Sequence, residues 1–459
     1  MSSVIRYLAR YLVLPGGDVV EHGALDVCDD RIVAVHRSMN HHQIIRDRES
    51  LANVVDLGDV ALTPGGVNAH SHAFQRDLRG RTEWLHPDRE DEDFWSWREA
   101  MYALALGFDA PAFEEVTRRC FLEMLHAGIT CVGEFHYIHH QQGGTPYPEP
   151  NELAHRVIRA AKDVGIRISL LRVAYHRAGH GKPALSEQRR FIAPDLERCL
   201  FWQQSLFDRV QGDPLVKVGV APHSIRAVPF KWFEALSSWA KTHDAPFHTH
   251  ACEQQGEIEQ SLQEYGKRPM EVFDDAGVFE CSPVFVHATH LSDRELELIE
   301  TGGGSVCACP TTERNLGDGF LPATKLLERG VRISLGSDSH AEIDLWQEMR
   351  LVEYHERLQK ERRNVLASRA IMQKFFGDTL ERYDVARVLW PMSNINGAKD
   401  LGWQDLGELR EGFLADFVTV DLSKPAMWNV DRESLLSHLV FASHPGLVRD
   451  VFVGGKKVL

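Results

Sequence analysis

The chain has 459 residues, 43% hydrophobic and 25% charged, which is folded globular usage and excludes a collagenous, disordered or membrane-embedded chain. One large domain plus a smaller one fits this length without disulfide or metal staples. The formal net charge of −15 repels phosphate backbones, and no Lys/Arg-rich run offers a contact for nucleic acid or an anionic membrane.

Residues 1–14 carry Arg6 and Arg10 in a short apolar stretch. They lack the continuous apolar run and small-residue cleavage site of a secretory signal. No window reaches the roughly 18 apolar residues of a membrane span, so the expected location is cytoplasmic. The eight cysteines are scattered without a CxxC pair, as small buried hydrophobes are in a reducing compartment. Cys307 and Cys309 have a CxC spacing that can bind metal, but they fall in a run that reads as a buried strand.

Residues 1–60 read as short strands separated by turn signals, at 15–17 and at Asp29-Asp30. Eight short apolar runs follow, at 69–74 with Val67 leading in, 129–135, 166–175, 215–221, 246–251, 284–288, 305–309 and 332–337. They alternate with stretches of helical period such as 113–127, 230–241 and 294–301. That alternation predicts an α/β chain with a closed (β/α)8 TIM barrel over 61–409. The last fifty residues return to strand-like sequence at 412–418 and 451–455, so 1–60 and 410–459 are expected to form one small composite β-sandwich domain.

Residues with metal and proton chemistry sit at the ends of the first, fifth, sixth and eighth runs. His70-Ser71-His72 places two imidazoles on one face of a strand, because residues two apart point the same way. Taken alone, such a pair also fits a hydrogen-bonded polar pair. In His248-Thr249-His250 the second histidine lies nearer the open end of the barrel and is assigned as a third ligand. His248 sits one layer deeper, as a core histidine would. Glu253 follows as a proton carrier, His287 ends the sixth run, and Asp338 in 336–340 supplies a carboxylate. Three nitrogens and one oxygen suit Zn2+, with Fe2+ or Mn2+ also compatible, and leave room for a water.

These residues resemble the amidohydrolase superfamily, whose members carry an HxH on strand 1, histidines on strands 5 and 6 and an aspartate on strand 8. The resemblance implies a single divalent metal held by His70, His72, His250 and Asp338, because the HxxE from His250 to Glu253 marks the mononuclear deaminase branch. Many binuclear members have a bridging lysine on strand 4, whereas Lys217 lies too deep for that role. Segments 70–76, 94–98, 134–137, 221–226 and 309–319 together resemble the iminohydrolases of this superfamily that act on N-formimino-L-glutamate, releasing ammonia and N-formyl-L-glutamate in histidine degradation.

That resemblance implies substrate contacts from Gln75, Tyr137 and His223. Arg98 and Arg226 are placed for the two carboxylates, with 94–97 as a lid, and the assembly is expected to be a homodimer. The expected mechanism is metal-assisted hydrolysis of the amidine. Asp338 accepts the proton of the activated water, Glu253 carries a proton to the departing nitrogen, and His287 hydrogen-bonds the attacking oxygen. The loop 179–183 departs from the family pattern, having Lys182 and no aromatic residue. Two rival readings are a purine- or pyrimidine-type aminohydrolase of the same branch and a catalytically silent barrel used as a scaffold.

Overall fold

Burial on both faces makes parallel strands read as unbroken apolar runs, and eight such strands form the wall of a barrel. They are β1 (Gly66–Ser71), β2 (Ile129–His136), β3 (Arg167–Ala174), β4 (Val216–Pro222), β5 (His248–Ala251), β6 (Val284–His287), β7 (Ser305–Ala308) and β8 (Ile333–Leu335). Two four-stranded parallel sheets, β4-β3-β2-β1 and β5-β6-β7-β8, close on each other through bridges between Val220 and Phe247 and between Ser71 and Asp338. The second bridge already brings the HxH segment to the carboxylate. In this computed structural model residues 3–39, 53–85, 87–88, 90, 93–378 and 382–459 are described. Residues 1–2 and 40–52, within the expected amino-terminal part of the small domain, lie outside them.

Helices pack on the outside of the wall by amphipathic spacing. In α3 (Glu152–Val164) Leu153, Ala154, Val157, Ile158 and Ala161 form the buried stripe, and Gly165 stops the helix in the left-handed region at φ 84°. The helices α1 (Phe94–Gly107) and α2 (Ala110–His126) lie between β1 and β2, and α4 (Leu196–Arg209) follows β3. Asp93 caps α1 by accepting from the Trp95 and Ser96 amides, a contribution of about 1 kcal/mol. No helix among the described residues is long and apolar enough to cross a membrane.

Both chain ends meet in one mixed eight-stranded sheet. Its order is Lys456–Lys457, Val448–Val453, Phe417–Asp421, Val60–Pro64, Ile5–Leu14, Asp18–Cys28 and Arg31–His36, with Val54–Asp56 also pairing beside Ile5–Leu14. The two leading strands are 10 and 11 residues long, a correction to the short strands expected there. Their ladder runs from Ile5 opposite Val27 to Leu14 opposite Asp18 and skips the pair at His22, φ 54°, while keeping the same register on either side. At the foot of the barrel, Arg167 of β3 grips Asp416 through Nε–Oδ2 at 2.7 Å and Nη2–Oδ1 at 3.0 Å. The Gly454 amide donates to the same carboxylate at 2.7 Å, so one buried fork ties barrel to sheet.

Candidate active site

The side chains singled out at the strand ends converge. His70 Nε2 lies 3.2 Å from His72 Nε2 and 3.2 Å from His250 Nε2, and Asp338 Oδ1 lies 3.2 Å from Nε2 of both His70 and His72. Ligand bonds of about 2.0–2.1 Å set tetrahedral edges of about 3.3 Å. The spacing therefore fits four donors around one small cation, and lone pairs this close would repel one another without a shared positive charge. All four side chains are buried. The group is a site for a single divalent metal ion.

Neighbouring backbone fixes how the ligands face. His72 Nδ1 meets the Phe135 carbonyl at 3.0 Å and His250 Nδ1 meets the His223 carbonyl at 3.0 Å. Donation to those carbonyls leaves each Nε2 lone pair free for the metal. Burial pushes His70 down to about 3 and His250 well below the usual histidine range, so both are neutral ligands. Burial works to raise the Asp338 carboxyl, but hydrogen bonds to His70 and His72 hold it well below its ordinary value. His72 itself lies one residue past the end of β1. Asp338 sits past β8 with φ 45°, and His287 ends β6 with φ 71°. Both adopt a conformation that non-glycine residues hold only when their surroundings compel it.

The residues expected to carry protons stand around this group. Glu253 Oε1 is 3.7 Å from His287 Nε2, which is in turn 4.0 Å from Asp338 Oδ2. Burial opposes charge on His287, but the Glu253, Glu313 and Asp338 carboxylates raise it well above the usual range. Gln75, Arg98, Tyr137, His223 and Arg226 line one cavity with His72, His250, Glu253, His287 and Asp338. The cavity is tight, about 50 Å3, because α1 covers it with Phe94, Trp97, Arg98 and Met101. Arg98 stacks on Trp95 at 4.4 Å and Arg226 reaches the same ring at 5.5 Å. Gln75 Nε2 donates to Tyr137 Oη at 2.7 Å, and burial drives His223 well below its usual range.

Other readings sort by position. His248 lies outside the ligand group, with Nε2 donating to the Asp400 carbonyl at 3.0 Å. Lys217 rests over the Trp403 ring at 5.0 Å. Residues 179–183 form part of a small hairpin, Arg177–Gly179 with Lys182–Pro183, and are absent from the cavity lining. Cys307 is packed in β7. Cys309 falls within 4.8 Å of His287 and Glu313, but burial raises its thiol well above the usual value, which keeps it neutral there.

Several site residues escaped the sequence reading. Tyr102 and Phe191 line the cavity from segments that carried no signal, and Tyr175 joins them from the end of the third apolar run, 166–175, where only its place at a strand end pointed to the site. Glu134 accepts from Ser71 Oγ at 2.6 Å and from the Ala73 amide at 2.9 Å, clamping the backbone on both sides of His72. Glu313 accepts from the Cys309 amide at 2.8 Å and lies 3.4 Å from His287 Nδ1. Both lie in the motif segments 134–137 and 309–319, which was the available signal.

A model of the amidohydrolase family matches residues 61–458. A formimidoylglutamate deiminase from Pseudomonas aeruginosa is 36% identical over 400 residues, covering 87% of this chain and 84% of that protein. A 5-methylthioadenosine/S-adenosylhomocysteine deaminase from Pelotomaculum thermopropionicum is 25% identical, covering 100% of this chain and 94% of that one. Among solved structures, an amidohydrolase from Brucella melitensis superposes with a TM-score of 0.85 at 33% identity, covering 99% of this chain and 94% of that one. With the metal-ligand set and the barrel in place, the chain belongs to the amidohydrolase family and is a metal-dependent hydrolase.

Proposed function

We propose that this hydrolase deiminates N-formimino-L-glutamate, yielding N-formyl-L-glutamate and ammonia. The observation that carries the reading is the pair of guanidinium groups, Arg98 and Arg226, in the wall of a cavity floored by the metal ligands. Arg226 is buried, and its Nε has no hydrogen-bond partner among the described residues. A buried donor left unpaired is costly, and a substrate carboxylate would satisfy it. The 36% identical deiminase supports the same substrate.

The four-ligand set suits zinc. When bound, the cation supplies Lewis acidity that makes a water acidic near neutral pH. Asp338 takes up the proton released at that point. Glu253, held between Arg226 and His287, carries that proton and the one left on the added oxygen to the leaving nitrogen, so the C–N bond breaks with ammonia departing in place of the far more basic amide ion. His287 donates a hydrogen bond from Nε2 to the oxygen adding to the amidine carbon. Glu313 behind Nδ1 keeps that ring turned toward the reaction. Arg98 and Arg226 orient the carboxylates, and α1 excludes water.

A second reading, a purine-type aminohydrolase, is favoured by the number of relatives. Several at 25–26% identity are 5-methylthioadenosine/S-adenosylhomocysteine deaminases, and Trp97, Tyr102, Tyr175 and Phe191 offer rings for a heterocycle to pack on. Ammonia release separates the two. The proposal expects turnover of N-formimino-L-glutamate and little from 5-methylthioadenosine, S-adenosylhomocysteine, guanine or cytosine, and the reverse preference replaces it with the second reading.

A further inference from the structure

Behind β2 and β3, away from the metal ligands, lies a buried positive charge without a counter-charge among the described residues. Arg172 pairs in register with His136, and both are buried, at 1% and 2% exposure. The Arg172 guanidinium donates Nε to Asn151 Oδ1 at 2.9 Å, and the Cys199 thiol stands against it. Its face lies 5.4 Å from the Trp202 ring of α4. Nη1 and Nη2 have no partner among the described residues, nor has His136 Nε2.

No carboxylate among the described residues balances this group. The neighbour that bears on Arg172 is Cys199, whose thiol touches the guanidinium but is pushed up to about 11 by burial against the pull of Arg172, so it brings a contact and no negative charge. Burial and then Arg172 drive His136 down to about 3, which leaves a neutral ring. His139 packs edge-on against His136 at 5.2 Å and spends Nε2 on the Val173 carbonyl at 2.8 Å. Arg190, also buried, directs its donors at the His140, Ala105 and Phe108 carbonyls and adds a second positive charge nearby. A lone buried cation is strongly disfavoured unless something pairs with it.

We propose that Arg172 Nη1 and Nη2, with His136 Nε2, bind a small inorganic monoanion of chloride size between the barrel wall and the helices α3 and α4. Arginine is the one group there that stays charged, and its unused N–H donors and the His136 N–H match the requirement of a halide for several donors around one charge. The anion braces the carboxyl ends of β2 and β3. Phe135, the residue before His136, faces the other way and packs on His70 and His250 at 5.0 and 4.5 Å. The site therefore supports the metal ligands from behind, whichever substrate the enzyme takes.

The test uses crystals of the whole metal-loaded enzyme grown with sodium bromide, together with thermal unfolding in chloride at constant ionic strength made up with isethionate. An anomalous bromide peak within hydrogen-bond reach of Arg172 is expected, with a Tm that rises with chloride. The chloride dependence should vanish in Arg172→Met, while any general salt effect persists there. Ordered water at Arg172 in place of bromide overturns the proposal whatever the Tm does. Should Arg172→Met fail to fold, the bromide map of the unaltered enzyme decides by itself.

Discussion

Glu253 Oε2 meets Arg226 Nη2 at 3.4 Å, with both side chains buried, so the carboxylate expected to move protons is held by a group expected to bind substrate. The contact is longer than a tight ion pair, which leaves the arginine donors for an incoming anion while Glu253 stays beside His287. On the proposed reading, substrate binding and proton transfer share one charged contact above the metal ligands.

Replacing Glu253 with Gln keeps the shape and removes the proton carrier. Metal content by mass spectrometry should stay at one ion per chain, while ammonia release falls on the order of 10²–10⁴-fold. Near-normal turnover would remove Glu253 from the mechanism.

Arg98→Met and Arg226→Lys separate the substrate readings. Losing a charge-assisted contact of about 1.5–3 kcal/mol raises KM for N-formimino-L-glutamate roughly 10–100-fold, and lysine does not replace a forked guanidinium. Steady-state kinetics with the dicarboxylate substrate give the answer, and an unchanged KM in both variants would count against the deiminase reading.

Metal should leave and return as a unit with activity. Dialysis against a chelator is expected to abolish turnover, with recovery on adding one equivalent of Zn2+. In Asp338→Asn, one carboxylate charge poorer, titration with a metal indicator should give weaker binding. Full activity in the chelated enzyme would sink the metal-dependent scheme.

Glu313→Gln tests the support behind His287. The expected loss is about tenfold in kcat, the worth of roughly 1.4 kcal/mol for an orienting hydrogen bond, with KM and metal content unchanged. A parallel change in KM would mean that Glu313 shapes the cavity itself.

At the opposite end of the barrel, Asp416→Ala strands Arg167 without its partner. Breaking one side of a buried pair typically costs about 3–5 kcal/mol, to be read from urea unfolding followed by far-UV circular dichroism. The double change Arg167→Met with Asp416→Ala should cost less than the sum of the two single changes.

Much of the site is written in local spacing. The period of two along a strand puts His70 and His72 on one side, and the apolar runs between amphipathic stretches announce β-α units, because both depend on a few consecutive residues. The motif segments likewise marked Gln75, Arg98, Tyr137, His223 and Arg226, which line the cavity together. Tertiary structure alone decided which strand ends face each other. Barrel closure brings Ser71 beside Asp338, register sets Glu134 beside Ser71, and folding carries Glu313 up to His287 and buries Arg172 beside Asn151 and Trp202. Those neighbours are tens to hundreds of residues apart in the chain, and no local pattern encodes a distance that exists only once the β-cylinder has closed.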